Sequence, residues 1–191
     1  MIIHTQSQNK VSESENMQNF IAIDSREKLD KKQHILDYFY NNNIRPQRTK
    51  LDVGDYTLYH NRRVCIDLKL GIIELAYNLY NKQENERFTK ECVLARQLGI
   101  LLIILVEETP PNNDITQWQS PRFESGEKIG KRYTNATGGW LKKTMEDFTA
   151  KYGVYFKFCE KAQSPEIIVK ILDHYNEIWF REESERRNKN G

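Results

Sequence analysis

The sequence is poor in cysteine and proline, with three Cys and five Pro among 191 residues. Cys65, Cys92 and Cys159 stand far apart. They make neither a disulfide framework nor a CxxC zinc pair, which points to an intracellular protein with buried thiols. No apolar run approaches the roughly 20 residues of a membrane-spanning helix. The first residues also lack a signal peptide's apolar stretch. Membrane and Sec-secreted classes therefore have no support in the sequence. An excess of one charge is missing too: 29 basic residues against 27 acidic ones leave +2. That excludes a histone-like basic protein and leaves local patches as the electrostatic signal. There is no internal repeat.

What is present is one domain's worth of chain, 38% hydrophobic and 29% charged. This is polar for a globular protein but far from a disordered composition. A chain of this length can bury roughly 70% of the surface its unfolded form exposes. Residues 1–18 are polar and aperiodic and are expected to form a disordered leader. A single domain is expected over residues 19–180, followed by a charged, frayed tail over 181–191. Within the domain, 19–108 carries the motifs, 109–136 is a basic and aromatic loop, and 137–180 is a helix–strand–helix unit.

Patterning assigns a buried strand to Phe20–Asp24. Leu29, Leu36, Phe39 and Tyr40 predict a helix over 27–41, which Asn41, Asn42 and Asn43 stop. A strand over 45–51 and a tight turn at Val53-Gly54-Asp55 follow. Residues 56–59 and Val64–Lys69 read as a hairpin. Helices are predicted over 72–82 and 86–98, with Gly99 as the stop. The run 100–106 holds only Ile, Leu and Val and reads as a central strand. A long loop over 114–136 leads to a helix over 137–152, a strand over 154–159 and a final helix opening at Pro165. The expected class is α/β, a mixed central β-sheet flanked by helices.

The chemistry concentrates between Asp55 and Lys69. Asp67 and Lys69 lie two apart on a predicted strand and share one face, while Leu68 points into the core. If Asp55 is a hairpin neighbour of Asp67, their carboxylates can converge on a hard divalent cation such as Mg²⁺. Lys69 then stands where it can orient a water or stabilise phosphate charge. An exposed cross-strand charge pair is the plain alternative. Against it stands the apolar setting of Val64, Cys65, Ile66 and Leu68, where an unpaired Asp is costly. Asp24, Arg26 and Glu27 form a second cluster at the carboxyl end of the first strand. That is a frequent site location in α/β folds, and a helix N-cap explains it equally.

Three segments, Ile23-Asp24-Ser25-Arg26-Glu27, Val53-Gly54-Asp55-Tyr56 and Ile66-Asp67-Leu68-Lys69, precede a helix bearing Arg87 and a strand ending at Val106-Glu107. This order resembles the nuclease domain of XPF-type structure-selective DNA endonucleases, in the PD-(D/E)xK superfamily. It also resembles small single-domain members from phages and mobile elements, which share the Asp-x-Lys-x-Gly segment and a Lys-Tyr-Gly-Val turn (here Lys151 to Val154). The resemblance covers residues 20–108 and implies a restriction-endonuclease-like core. It implies Asp55 and Asp67 as ligands of Mg²⁺ or Mn²⁺, Asp24 as a further metal-site acid, and Lys69 as the catalytic lysine. Arg26 and Glu27 would complete the polar shell of the catalytic site, and Arg87 would contact phosphate at its rim. The family's Glu-Arg-Lys reads Asp67-Leu68-Lys69 here, a carboxylate one methylene shorter. The acid expected soon after the lysine is displaced to Glu74, beyond Gly71. The longer members carry a tandem helix-hairpin-helix module after the nuclease core, and none is expected within residues 109–191.

DNA-binding candidates are Arg122, Lys128, Lys131, Arg132, Lys142 and Lys143. Between Trp118 and Lys143 these six bases face only Glu124 and Glu127, a local +4. Trp118, Phe123, Tyr133 and Trp140 are interleaved with them. Cations bind phosphate and aromatic faces stack on unpaired bases. A solvated loop whose aromatics pin it to the core fits the same pattern. Arg45, Arg48 and Lys50 either extend this track or guard a sheet edge. The expected activity is metal-dependent hydrolysis of branched, flap or nicked duplex DNA, in replication, recombination or repair of a phage or mobile element. Expected partners are DNA and a second copy of the chain, with no membrane and no nucleotide cofactor, in the cytoplasm of the host cell. A DNA-binding scaffold that has lost catalysis and a sequence-specific restriction-like enzyme are the alternatives.

Overall fold

The computed structural model describes residues 20–120 and 135–189. Its centre is a six-stranded mixed sheet of β1 (Phe20–Asp24), β2 (Arg45–Thr49), β3 (Tyr56–Leu58), β4 (Val64–Lys69), β5 (Leu101–Val106) and β6 (Tyr155–Phe158). The strand order is β2-β1-β3-β4-β5-β6. Only β3 runs against its neighbours; the β1–β2, β4–β5 and β5–β6 pairs are parallel. The carboxyl ends of five strands therefore meet the start of β3 along one edge.

Among the described residues, five helices cover the sheet: α1 (Gln33–Asn41), α2 (Ile72–Tyr80), α3 (Lys82–Leu98), α4 (Gly138–Tyr152) and α5 (Ser164–Lys189). Strand alternation divides the core in two. Cys65, Leu102, Ile104 and Val106 face α2, α3 and α4 through Leu75, Phe88, Cys92, Leu141 and Phe148. Ile66, Leu68, Ile103 and Leu105 face α1 and α5 through Ile35, Phe39, Ile168 and Leu172. β5 is buried on both faces, which is why its sequence is a continuous apolar run. The expected α/β class with a mixed central sheet is the observed one. All three cysteines are free and buried.

Several boundaries differ from the sequence expectation. α1 begins at Gln33 instead of residue 27, because a bend and a 3-10 turn over Leu29–Lys31 precede it. Asp24 caps no helix; its Oδ1 accepts the Arg26 N–H, closing a local turn. The second helix of the central pair begins at Lys82 with Asn81 as its N-cap, so the two helices abut. Trp118, considered above as a stacking surface, is 5% exposed and belongs to the core. α5 continues through the charged segment expected to fray and ends at Lys189. Arg122, Phe123, Lys128, Lys131, Arg132 and Tyr133 lie outside the described residues, as does the expected leader. Among the described residues, no helix is long and apolar enough to cross a membrane.

Candidate active site

The site is built at the sheet edge where β1, β3 and β4 meet. Ile23, Tyr56 and Ile66 share a row of the ladder. Beyond it the Asp24 N–H donates to the Asp55 carbonyl (2.9 Å) and the Asp55 N–H to the Ile66 carbonyl (2.7 Å). This brings Asp24, Asp55 and Asp67 to the same end of three adjacent strands. Gly54 makes the turn possible. Its φ is +69°, and an added Cβ would lie 3.0 Å from both the Cys65 Cβ and the Ile66 carbonyl oxygen.

On β4, Val64, Ile66 and Leu68 pack toward α1 and α5, while Cys65 faces the α2–α3 side. Asp67 and Lys69 fall on the same face as Cys65. Both are buried, at 5% and 7% exposure. An exposed charge pair is thereby excluded. Lys69 Nζ donates to Asp67 Oδ1 at 2.9 Å and sits 5.7 Å from the centre of the Phe88 ring. It also lies 2.7 Å from Asp67 Oδ2, but that oxygen accepts no hydrogen bond. Gly71 follows because the Glu108 carboxylate passes 2.8 Å from where its Cβ would be. Glu108 Oε2 there accepts the Ile72 N–H at the start of α2 (2.8 Å).

An open cleft of about 820 Å³ gathers Asp24, Arg26, Glu27, Asp55, Asp67, Lys69 and Arg87, all named from the sequence. Arg26 holds Asp24 through Nε, 3.1 Å from Oδ1 and 2.9 Å from Oδ2, and reaches the Leu51 carbonyl at 2.7 Å. Both Asp24 oxygens are thus engaged by a cation. Arg48 donates to the carbonyls of Ser25 and Glu27, so a β2 arginine braces this turn. Arg87 is exposed at the rim and pairs with Glu84 at 2.8 Å. Lys142 and Lys143 are exposed on α4 but do not line the cleft.

Two cleft residues that bond directly to the Gly54-Asp55 turn, Lys32 and Glu91, escaped the sequence reading. Lys32 is buried and its Nζ lies 2.9 Å from Glu27 Oε1 and 3.3 Å from Asp55 Oδ2. Nothing in the sequence marks it, because a continuous helix from residue 27 would have given it a different direction. Glu91 on α3 accepts the Gly54 N–H at 2.8 Å. It lies four residues after Arg87 and next to the buried Phe88–Cys92 stripe, and that spacing was a usable signal.

Burial raises the Asp55 and Asp67 carboxyls above their ordinary range, and Lys32 and Lys69 offset it only in part. Glu91 is raised by burial and by nearby Asp67. Burial acts the other way on Lys32 and Lys69, but their acidic neighbours outweigh it and hold both ammonium groups above their usual value. At Asp24, burial is overcome by the Arg26 hydrogen bonds and charge, and the carboxyl is lowered.

No cluster of three or more His, Cys, Asp and Glu side chains that could hold a metal is found among the described residues. Mg²⁺ commonly takes one or two carboxylates and completes its shell with water and phosphate oxygens. Asp55 and Asp67 fit that donor chemistry, and Asp67 Oδ2 is a buried oxygen that accepts no hydrogen bond.

No protein-family model matches the sequence, and no curated protein matches it. Solved structures do. The chain is similar to XPF from Aeropyrum pernix, with 17% identity and a TM-score of 0.55, over 88% of this chain and 69% of that one. It is also similar to the same protein in complex with DNA, with 16% identity and a TM-score of 0.51, over 80% of this chain and 64% of that one. The mixed sheet, its helical layers and this likeness together give the chain an XPF-like nuclease fold.

Proposed function

We propose that this protein is a metal-dependent DNA endonuclease. Its substrate in this reading is branched, flap or nicked duplex DNA, handled in the replication, recombination or repair of a phage or mobile element. The observation that carries it is the buried pair Asp67 and Lys69 with the half-buried Asp55 beside them at one sheet edge, and an Asp67 oxygen that accepts no hydrogen bond among the described residues. The DNA complex of the similar XPF protein supports the choice of polymer.

The cleft's charge supports a metal as well. It is lined by eight carboxylates and six cationic side chains, so it does not attract a phosphodiester unaided. Asp55 and Asp67 would hold Mg²⁺ or Mn²⁺, which would supply Lewis-acid stabilisation and a more acidic bound water. Lys69, 2.9 Å from Asp67 Oδ1, is proposed to act as a hydrogen-bond donor and a fixed positive charge beside the metal. It orients the attacking water and faces the charge that builds on phosphorus. Asp24 serves Arg26 by fixing its guanidinium at the cleft mouth, where Arg26 and Arg87 reach phosphates. Lys142 and Lys143 extend DNA contact outside the cleft, and Arg122, Lys128, Lys131 and Arg132 are further candidates for phosphate contact by their sequence alone. A second copy of the chain belongs to the same reading.

The test is a panel of labelled linear, nicked, flap and four-way DNA with Mg²⁺, Mn²⁺ or EDTA. Metal-dependent incision, fastest on one of the three discontinuous or branched substrates, is the expected result. Binding without incision of any substrate contradicts catalysis. Discrete bands from a long linear duplex would instead mark a sequence-specific enzyme.

A further inference from the structure

Lys32 is the one buried cation in the cleft that the proposed chemistry does not use. We infer that Lys32 is the resident counter-ion of Asp55 in the metal-free protein, and that it sets metal affinity by competing for that carboxylate. The inference rests on the reading of Asp55 as a metal ligand.

The two buried lysines are held differently. Lys69 is bound to Asp67, 2.9 Å from Oδ1 and 2.7 Å from Oδ2. Lys32 is shared, with the shorter contact to Glu27 at 2.9 Å and the longer one to Asp55 at 3.3 Å. An ammonium that is 5% exposed is costly to strand without a partner. Lys32 escapes that penalty because it can give up Asp55 and remain paired with Glu27. Lys69 has no such second contact within ion-pairing distance. The 3-10 turn that delays α1 is what aims Lys32 inward, across the face of Tyr56 at 5.8 Å from the ring centre.

The physical consequence is a preorganised site with moderated affinity. Without Lys32, Asp55 and Glu27 would be two neighbouring anions with no cation between them, and they would draw a divalent ion strongly. With Lys32 present, an entering ion displaces one contact and leaves the ammonium in place beside Glu27. Lys32 is therefore a positioning residue: it acts through Asp55, and contact with substrate forms no part of its role.

The test is Mn²⁺ binding to the full chain, read by electron paramagnetic resonance of the free ion. Wild type is compared with Lys32→Met, Lys32→Gln and Lys32→Arg, with Asp67→Asn as the site control. The neutral variants are expected to bind Mn²⁺ about tenfold tighter, since a positive charge close to the divalent ion is removed. Lys32→Arg is expected to stay close to wild type. Lys32→Gln can still donate to both carboxylates, so it stands in if Lys32→Met does not fold without metal. A purely structural lysine would lower stability without tightening Mn²⁺ binding. Equal or weaker binding by folded neutral variants overturns the inference while leaving the metal site intact, provided Asp67→Asn abolishes binding. If wild type and the neutral variants all bind no Mn²⁺, or if Asp67→Asn binds like wild type, the ligand reading and this inference fall together. Binding by the neutral variants alone supports the inference outright.

Discussion

At the residue scale, Gly54 is the hinge on which the site turns. Its left-handed backbone starts β3 with Asp55 directed to the cleft, and its N–H holds Glu91. Gly54→Ala is expected to lose about 1–2 kcal/mol from the backbone alone, with more from the approach to Cys65 and Ile66. Urea unfolding measures this, and an unchanged midpoint would contradict it. The buried carboxylates give a second expectation. Asp55, Asp67 and Glu91 hold protons more tightly folded than unfolded. The metal-free folded state then binds more protons than the unfolded one, and stability falls as pH rises from the ordinary carboxylate range through the raised values. Asp24, whose carboxyl is lowered, works in the opposite sense, and its share is lost only below that range. Thermal unfolding of metal-free protein should therefore give a lower midpoint at pH 8 than at pH 5.5, with Mn²⁺ narrowing the gap. A midpoint that rises with pH would mean that the carboxylates are not burdened by burial. Of these residues, Asp67 and Lys69 were legible because strand periodicity and apolar neighbours mark them, and Asp55 because it follows a glycine at the start of a strand. Lys32 was not, because its placement depends on a 3-10 turn with no strong sequence signature.

At the element scale, β4 explains how one strand serves two purposes. Ile66 and Leu68 anchor it to the α1–α5 core, which fixes Asp67 and Lys69 on the other face. A slip of one residue would exchange the two sets. The opposite face has its own clamp. Glu107, with a fully buried side chain, accepts hydrogen bonds from His34 Nε2 at 2.6 Å and from Ser164 Oγ. It thus ties the start of α1, the end of β5 and the start of α5 together. Ser164→Ala should cost about 1–3 kcal/mol by leaving that carboxylate short of a donor. The loss should appear in urea unfolding with Mn²⁺ affinity unchanged, and a loss of affinity would contradict the separation of clamp and site. β5 and the paired helices were legible from apolar runs and helical spacing. The late start of α1 was not, because tertiary contacts decide it; for Trp118 the sequence left a stacking surface and a core anchor equally open, and the core anchor is what the fold shows. Trp118 precedes the first of the clustered cations, Arg122, in sequence and packs into the same core cluster as Ile115 and Ala136.

At the scale of the whole molecule, net charge is a poor guide to the site. The chain carries +2 overall, while the cleft is lined by more acids than bases. In the proposed function, DNA approach depends on a cation in the cleft and on basic groups around it, so binding should weaken steeply with salt. The sheet order was not legible, since β1 lies between β2 and β3, and strand periodicity does not reveal neighbours. Motif order nevertheless indicated the fold, because the acids sit at strand ends that converge in any sheet of this kind. The likeness to XPF from Aeropyrum pernix over 88% of the chain agrees with that reading. The proposed function requires that Asp67 and its neighbours make this edge hydrolytic. The direct measurement is single-turnover cleavage of the preferred DNA by wild type, Asp67→Asn and Lys69→Met at saturating Mg²⁺, with DNA affinity measured alongside. A rate loss of at least about 100-fold is expected in each variant, with DNA affinity within a few fold of wild type. Cleavage by either variant at the wild-type rate would place the chemistry elsewhere.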